Sequence, residues 1–466
     1  MKIPALPNWR RRTVILAGSA AVLIWLVITR SLAAYLAGAA PQAALWIDPR
    51  NPEALLALAD HALNPPASAT PAPVNPSGRI AQDHNPAAGR ALQPGYAKEA
   101  FNVAGQNPSI DLPRIRAWAE SAAMNAPLSA RALRILGQVA SIGNDDRDAA
   151  KYMAEAVRLS LHQSVAVYWM MRKSAAAGDY EKAVFYADAL LRTNPDMMAD
   201  VEPLLGHFAE QKASRGVIEA MLKTKPPWRS GFLMSLPRYI SDARTPLDLL
   251  LTLRTGPAPP AADEIDNYLR FLIRRKFYEL AYYTWLQFLP AAQLRTAGFL
   301  FNGSFEIAPS ALPFDWAISQ GSGVSVDIVP RPGDPDSRAL QVDFLYGRVD
   351  YHSVRELVVL APGNYRFTAQ YNGRLVGPRG LKWRVVCAGD APTLLGESEM
   401  IMDSKATWQD ATFTFTVPAA GCPAQYVRLD LDARSASEDL VSGSILFSDL
   451  ALTRVTDSPP VQETTR

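Results

Sequence analysis

The chain has 466 residues, of which 48% are hydrophobic and 20% charged, with a formal net charge of +2. That length is too great for one core and points to two or three folded units, while the ordinary composition excludes wholesale disorder and a many-spanning membrane protein. With near-neutral charge and no basic run interleaved with aromatics beyond residue 12, a broad nucleic-acid footprint is also excluded.

Residues 1–12 end in Arg10, Arg11 and Arg12 and read as a cytoplasmic tail. Thr13 to Thr29, "TVILAGSAAVLIWLVIT", is uncharged, and beyond Arg30 the small apolar run continues to Ala40. Crossing about 30 Å of hydrocarbon takes about 20 helical residues, which 13–40 supplies if Arg30 reaches the far interface. The arginine triplet predicts a single-pass anchor in a bacterial-type inner membrane, with the N-terminus cytoplasmic and the bulk periplasmic. The competing reading is a cleaved signal peptide, since Ala37-Gly38-Ala39 is small-x-small; against it, the apolar run is long and Arg30 separates it from that site.

Helical patterning follows. Residues 41–63 carry leucines at helical spacing after an Asn51-Pro52 start, and 64–95 are rich in Pro, Ala, Ser, Asn and Gly. That composition predicts a flexible insertion that decouples 41–63 from the rest. Residues 96–292 read as an α-solenoid. Within them "RALRILGQVASIGNDDRDAAKYMAEAVRLS" and "VAVYWMMRKSAAAGDYEKAVFYADALLRTNP" overlay at an offset of 34 residues. Leu136, Gly137, Ala140, Ala149 and Ala156 in the first, and Gly178, Tyr180, Ala183, Ala187 and Pro195 in the second, fall where paired helices need small residues, a turn and a stop. On these residues the stretch resembles the tetratricopeptide repeat family, strongly over Leu133 to Pro195 and weakly after Asp196. The resemblance implies a concave surface for a protein partner. A spacer lifting the last domain off the membrane is the bland alternative.

From Leu300 the texture becomes short alternating runs bounded by Gly, Pro and Asp: "VSVDIV", "ALQVDFLY", "NYRFTAQY", "LKWRVVC", "ATFTFTV", "YVRLDLDA" and "SILFSDLALTRV". This predicts an all-β sandwich over 300–456, with a disordered tail at 457–466. The only two cysteines, Cys387 and Cys422, lie in it, and an even pair in an oxidising compartment reads as a disulfide, with two buried thiols as the alternative. A metal site there is disfavoured, because no histidine lies nearby and CxxC spacing is absent.

"NGSFE", "DWAIS", "LQVDF", "VVLAPGNYRFTAQY", "ATWQDATFTFTVP" and "ILFSDLALTRV", in that order, resemble the jelly-roll carbohydrate-binding modules of families four and nine in the galactose-binding-like superfamily. The resemblance implies that "FNGSFE" forms the first strand. It also implies a structural calcium held by Glu306 and Asp449, the one cofactor in view and not a required one.

Sugars stack on aromatic rings and pair their hydroxyls with planar polar side chains. The candidates are Tyr346, Arg348, Tyr351 and His352 in "FLYGRVDYHS" and Tyr371, Asn372 and Arg374 in "QYNGRLVG"; Trp316, Trp383 and Trp408 read as core or rim. No His-Glu-x-x-His, Gly-x-Ser-x-Gly or Walker motif occurs among these or elsewhere, and none of the five histidines pairs with another. Asp343, Asp350 and Glu356 could flank a glycosidic bond only if a cleft brought two together. Asp145, Asp146 and Asp148 lack the twelfth-position glutamate of a calcium loop and read as a turn between repeats.

The fold class expected is thus multidomain: an N-terminal transmembrane helix, an all-α TPR-like solenoid and a C-terminal all-β jelly-roll sandwich. The expected function is non-catalytic. It is a membrane-anchored scaffold of envelope polysaccharide assembly or export, binding a protein partner through the solenoid and polysaccharide through the sandwich. The alternative is a purely protein-binding envelope component.

Overall fold

A computed structural model describes residues 8–63, 110–345, 347–389, 392–435 and 437–455. The insertion at 64–95 and the tail at 457–466 lie outside the described residues. The chain divides into two compact units, Met1–Pro259 and Pro260–Arg466.

In the first unit α1 (Asn8–Ala39) is one unbroken 32-residue helix, followed by α2 (Pro41–Ile47) and α3 (Pro52–Leu63). From Leu16 to Ile28 α1 is exposed, whereas Ala33 is fully buried and Ala37 packs with Ala44 of α2 and Ala54 of α3. Four helices then follow α4 (Leu112–Asn125): α5 (Ala130–Ile142), α6 (Asp146–Leu159), α7 (Ser164–Ala176) and α8 (Tyr180–Thr193). The starts of α5 and α7, and of α6 and α8, keep the 34-residue offset read from the sequence.

The starts of α4, α5, α6 and α8 have a local cause. Asp111, Ser129, Asp145 and Asp179 accept a hydrogen bond from the backbone N–H three residues on, satisfying a donor the helix leaves unpaired. Thus the Asp145–Asp148 cluster is a helix cap. Gly178 turns the chain between α7 and α8 at φ +75, a conformation other residues adopt only at a cost. After Asp196 come α9 (Met198–Glu210), α10 (Lys212–Lys223), α11 (Arg229–Ser235) and α12 (Thr245–Arg254).

One expectation is not met. Helix α3 is not decoupled from the array, because Leu55, Leu56, Ala59 and Leu63 share a core with Ile115, Ala119 and Ala122 of α4 and Ala132 and Ile135 of α5. Asp60 of α3 pairs with Arg131, at 2.7 Å, and with Arg134 of α5.

The second unit opens with α13 (Ala262–Arg274), α14 (Tyr278–Phe288) and α15 (Ala291–Thr296). The sequence boundary between 292 and 300 therefore falls inside one compact unit. Buried Trp285 of α14 packs edge-on against Phe301, with ring centroids 5.0 Å apart, and Tyr282 meets Phe314 at 5.4 Å.

The strands are β1 (Val324–Arg331), β2 (Asp334–Phe344), β3 (Val354–Val358), β4 (Gly363–Val376), β5 (Leu381–Cys387), β6 (Leu394–Glu397), β7 (Gln409–Val417), β8 (Gln425–Leu431) and β9 (Ser442–Arg454). They form an antiparallel sandwich of two sheets, ordered β1-β2-β9-β4-β7 and β3-β8-β5-β6. Alternation buries Leu340, Val342, Phe367, Trp383, Val427 and Ile445 between them, with Trp316. Cys387, at the end of β5, is disulfide-bonded to Cys422.

"FNGSFE" is a turn and not the first strand. Asn302 brackets Ile307, donating to its carbonyl at 2.6 Å and accepting from its N–H at 3.1 Å, and both Asn302 and Phe305 have positive φ. Gly303 is required by close approach: a Cβ there would lie 2.0 Å from the Leu450 carbonyl oxygen of β9.

Candidate functional site on the outer face of the five-stranded sheet

Strand parity decides what this face presents. On β4, Tyr365, Phe367, Ala369 and Leu375 point into the core, so Gln370, Asn372 and Arg374 point out. Register places Asn372 beside Leu446 of β9 and Gln341 of β2, and Arg374 beside Ser444 and Asp343. Asp327 and Ser325 of β1 extend the same two rows. The result is a shelf across four strands that is polar at every one of these positions but Leu446.

The groups hold one another in place. Gln341 Nε2 donates to both Asp343 carboxylate oxygens, at 2.9 and 2.8 Å, and to Ser444 Oγ at 3.2 Å. Ser404 Oγ donates to Asn372 Oδ1 at 2.8 Å and accepts from the Gly373 N–H at 3.0 Å, and Asp403 lies 3.7 Å from Arg374 Nε. Such groups offer paired donors and acceptors at fixed spacing, with the Arg374 side chain 73% exposed to meet a ligand.

Toward the other end of the strands, Arg331 from the β1–β2 hairpin lies over the ring of Trp408, 4.3 Å from its centroid. Its Nη2 donates to Gln370 Oε1 at 2.6 Å, and its Nη1 pairs with Asp449. Asp449 sits at φ +53 where β9 shifts register against β4, a bulge that turns its carboxylate outward. Arg331, Gln341, Gln370, Asp403, Ser404 and Ser444 were missed by sequence reasoning, and Asp343 was picked out only as a carboxylate that could flank a glycosidic bond. Only their strand parity was visible, and parity alone does not say which outward residues share a row.

The predicted ligand residues separate. Asn372 and Arg374 lie on the shelf. Tyr371, one residue away, must face the opposite side and packs against the core. Tyr351 also turns inward, edge-on to Phe344 at 5.5 Å and donating its hydroxyl to the Leu429 carbonyl at 3.2 Å; burial pushes its phenol up. Arg348 and His352 are exposed on the loop after β2. Arg348 lies 3.7 Å from Asp439, and His352 Nδ1 is 3.3 Å from the Gln320 carbonyl. Tyr346 lies outside the described residues. Trp316 and Trp383 are fully buried, and Trp408 is half-buried beneath Arg331.

Glu306 and Asp449 do not fit a calcium ion. Glu306 is exposed, the Asp449 carboxylate already faces the Arg331 guanidinium, and no group of three His, Cys, Asp or Glu converges among the described residues. Calcium prefers six to eight oxygen ligands.

The outer face of the four-stranded sheet is of another kind. Lys382 and Arg384 are bound to Glu397 at 2.7 and 2.9 Å, Arg428 to Asp430 at 2.8 Å, and Arg384 also to Asp432. Its charges are spent on each other.

The three carboxylates considered for chemistry point apart. Asp343 is on the shelf, Asp350 is exposed 3.7 Å from His352, and Glu356 of β3 is buried, accepting from the Phe301 N–H at 2.8 Å. Glu356 Oε2 has no hydrogen-bond partner among the described residues, and burial raises its pKa well above the usual 4.5. The unfolded chain gives up this proton near 4.5 and the folded chain only at higher pH, so stability falls as pH rises through that interval. Glu356→Gln should therefore melt higher than the parent at neutral pH and match it near about pH 4, as thermal melts across pH would show.

No family model matches the chain, and no curated protein does. Solved structures do, over the C-terminal region. A chain described as CBM4 is 19% identical with a TM-score of 0.27, over 34% of this chain and 99% of its own. The CBM22-1 xylan-binding domain of a Paenibacillus barcinonensis protein is 16% identical with a TM-score of 0.24, over 34% of this chain and 94% of its own. TmCBM61, solved with β-1,4-galactotriose, is 17% identical with a TM-score of 0.23, over 34% and 99%. The sugars in those descriptions belong to those proteins.

Proposed function

We propose that this chain is a membrane-anchored, non-catalytic, extracytoplasmic scaffold of envelope polysaccharide assembly or export. In this reading the sandwich contacts glycan through the shelf and the helical array holds a protein partner. The observation that carries it is the pair of rows built from Gln341, Asp343, Ser444, Asn372 and Arg374, which present hydrogen-bond donors and acceptors on the sheet's outer face, four of them half-buried and Arg374 exposed. Anchoring is supported by α1, whose apolar stretch is exposed and whose last turns join the folded helices through Leu36 and Ala37. A mature chain that begins at Met1 on N-terminal sequencing is expected; one beginning near Ala40 would make the segment a cleaved signal. The disulfide is in keeping with an oxidising compartment.

The test is retention on polysaccharide gels and glycan arrays, using residues 260–466, since α13 and α14 belong to the same compact unit as the strands. Asn372→Ala with Arg374→Ala should weaken binding about tenfold or more, the effect of losing charged and neutral hydrogen bonds together. His352→Ala should leave it unchanged, and so should a chelator.

The inward turn of Tyr351 and Tyr371 favours a second reading, in which both modules bind only protein. Absence of retention on any envelope polysaccharide, with the fragment folded, would establish it over the first.

A further inference from the structure

We propose that the corner formed by α1, α2 and the Asp48–Arg50 turn is seated in the phospholipid headgroup layer of the bilayer that α1 crosses, with Trp46 and Tyr35 as its interfacial anchors. This rests on the anchored reading above and adds where the folded domain stands relative to the lipid. The uncharged stretch of α1 ends at Arg30, which fixes the level of the membrane boundary. Arg30 Nη1 binds Asp48 Oδ2 at 2.9 Å, so the chain leaving α2 returns to that same level.

Trp46 precedes Asp48 by two residues, about 3 Å along a helix, and Tyr35 follows Arg30 by five, about 7.5 Å. Both side chains are turned away from the protein, Trp46 92% and Tyr35 80% exposed, with Leu32 and Arg50 also exposed nearby. Two large aromatics beside an apolar span, with a cation next to them, match the chemistry of the bilayer interface: an apolar ring with a polar edge, and a guanidinium for lipid phosphate.

There is no slack to hold the corner away. Helix α1 is continuous through Arg30 to Ala39 and α2 begins at Pro41, with Ala37 packed on Ala44 of α2 and Ala54 of α3 and Leu36 against the same cluster. The uncharged run from Thr13 to Thr29 is about 26 Å long against about 30 Å of hydrocarbon, so the membrane draws Arg30 and everything fastened to it inward.

The experiment uses the full-length chain in nanodiscs of phosphatidylethanolamine and phosphatidylglycerol. Both native cysteines are disulfide-bonded, so an environment-sensitive thiol fluorophore goes to one introduced cysteine: Trp46→Cys, Tyr35→Cys or Leu23→Cys. Lipids spin-labelled on the headgroup should quench the probes at 46 and 35, and lipids labelled on the acyl chain should quench the probe at 23. A probe at 46 that headgroup labels leave bright, while the probe at 23 is quenched, overturns the seating and leaves the anchor standing. The same holds if aqueous iodide and headgroup labels both fail to reach position 46, since a protein surface then covers it. A bright probe at 23 removes the anchor and the seating together.

Discussion

Replacing Cys387 and Cys422 together with alanine should lower the stability of the C-terminal unit by about 4 kcal/mol, the chain-entropy value for a link across 35 residues. For a unit of this size, that is a fall in melting temperature of roughly 10 °C. Both cysteines are buried, and the loop carrying Cys422 is fastened independently: Gln425 Nε2 donates to the Cys422 carbonyl at 2.9 Å, and Gln425 Oε1 accepts from the Leu360 N–H at 3.0 Å. The native arrangement therefore survives without the link, and the loss falls on the unfolded chain, which regains the freedom the bond removes. Thermal melts of the double variant and of the reduced parent should coincide. Since the bond joins the end of β5 to the loop before β8, in the other sheet, the glycan binding proposed for the shelf on β2, β9 and β4 should be the same in variant and parent below the melting point. Indistinguishable melts for oxidised parent and variant would mean the link adds nothing, and the case for an oxidising compartment would lose its main physical support.

Local signals were legible in the sequence and lateral ones were not. The turn at Asp145 to Asp148, the 34-residue offset of the paired helices and the alternation of β1, β4, β7 and β9 could be read directly, because each is a pattern along the chain. The strand β3 was hidden because its inward positions include Glu356, a carboxyl where the pattern calls for an apolar side chain. "FNGSFE" mimics a strand start, but its asparagine and glycine serve a turn pressed against Leu450. Asn372 and Arg374 drew notice because planar polar residues stand out, and strand parity puts both on the outer face. Tyr351 and Tyr371 were misplaced because a tyrosine packs as well in a core as on a surface, and parity had to be known first. Arg331 reaches Trp408 and Gln370 only through sheet order, which no local pattern contains. The bond between α3 and the array was hidden for the same reason: Asp60 meets Arg134 across 74 positions of chain.

That bond supplies the second large effect. Asp60→Ala should cost about 3 kcal/mol, the lower end of the range for breaking a buried pair, because it strands Arg134 while the Asp60 carboxylate itself retains some exposure. The Arg134 side chain is only 7% exposed, and its guanidinium also contacts Gln138 and the Gln163 side chain, at 3.1 Å, neither of which can neutralise it. The loss should be local. Hydrogen exchange on the full-length chain should show the amides of α3 losing protection while those of the sandwich keep theirs, because α3 is held to the array by one apolar face and by ion pairs of which Asp60 makes two, with Arg134 and Arg131, and Glu53 one, with Arg131 at 3.1 Å. Acid should do the same to the parent. Burial alone would raise the Asp60 pKa, but Arg134 and Arg131 outweigh it and hold it below the ordinary 3.8. Its contribution is therefore fully present above 3.8 and is lost as pH falls through the lower folded value, so the parent should approach the Asp60→Ala pattern only in strong acid. Asp60→Asn separates charge from packing: if it protects α3 as well as aspartate does, the apolar face carries the docking and the ion pair does not.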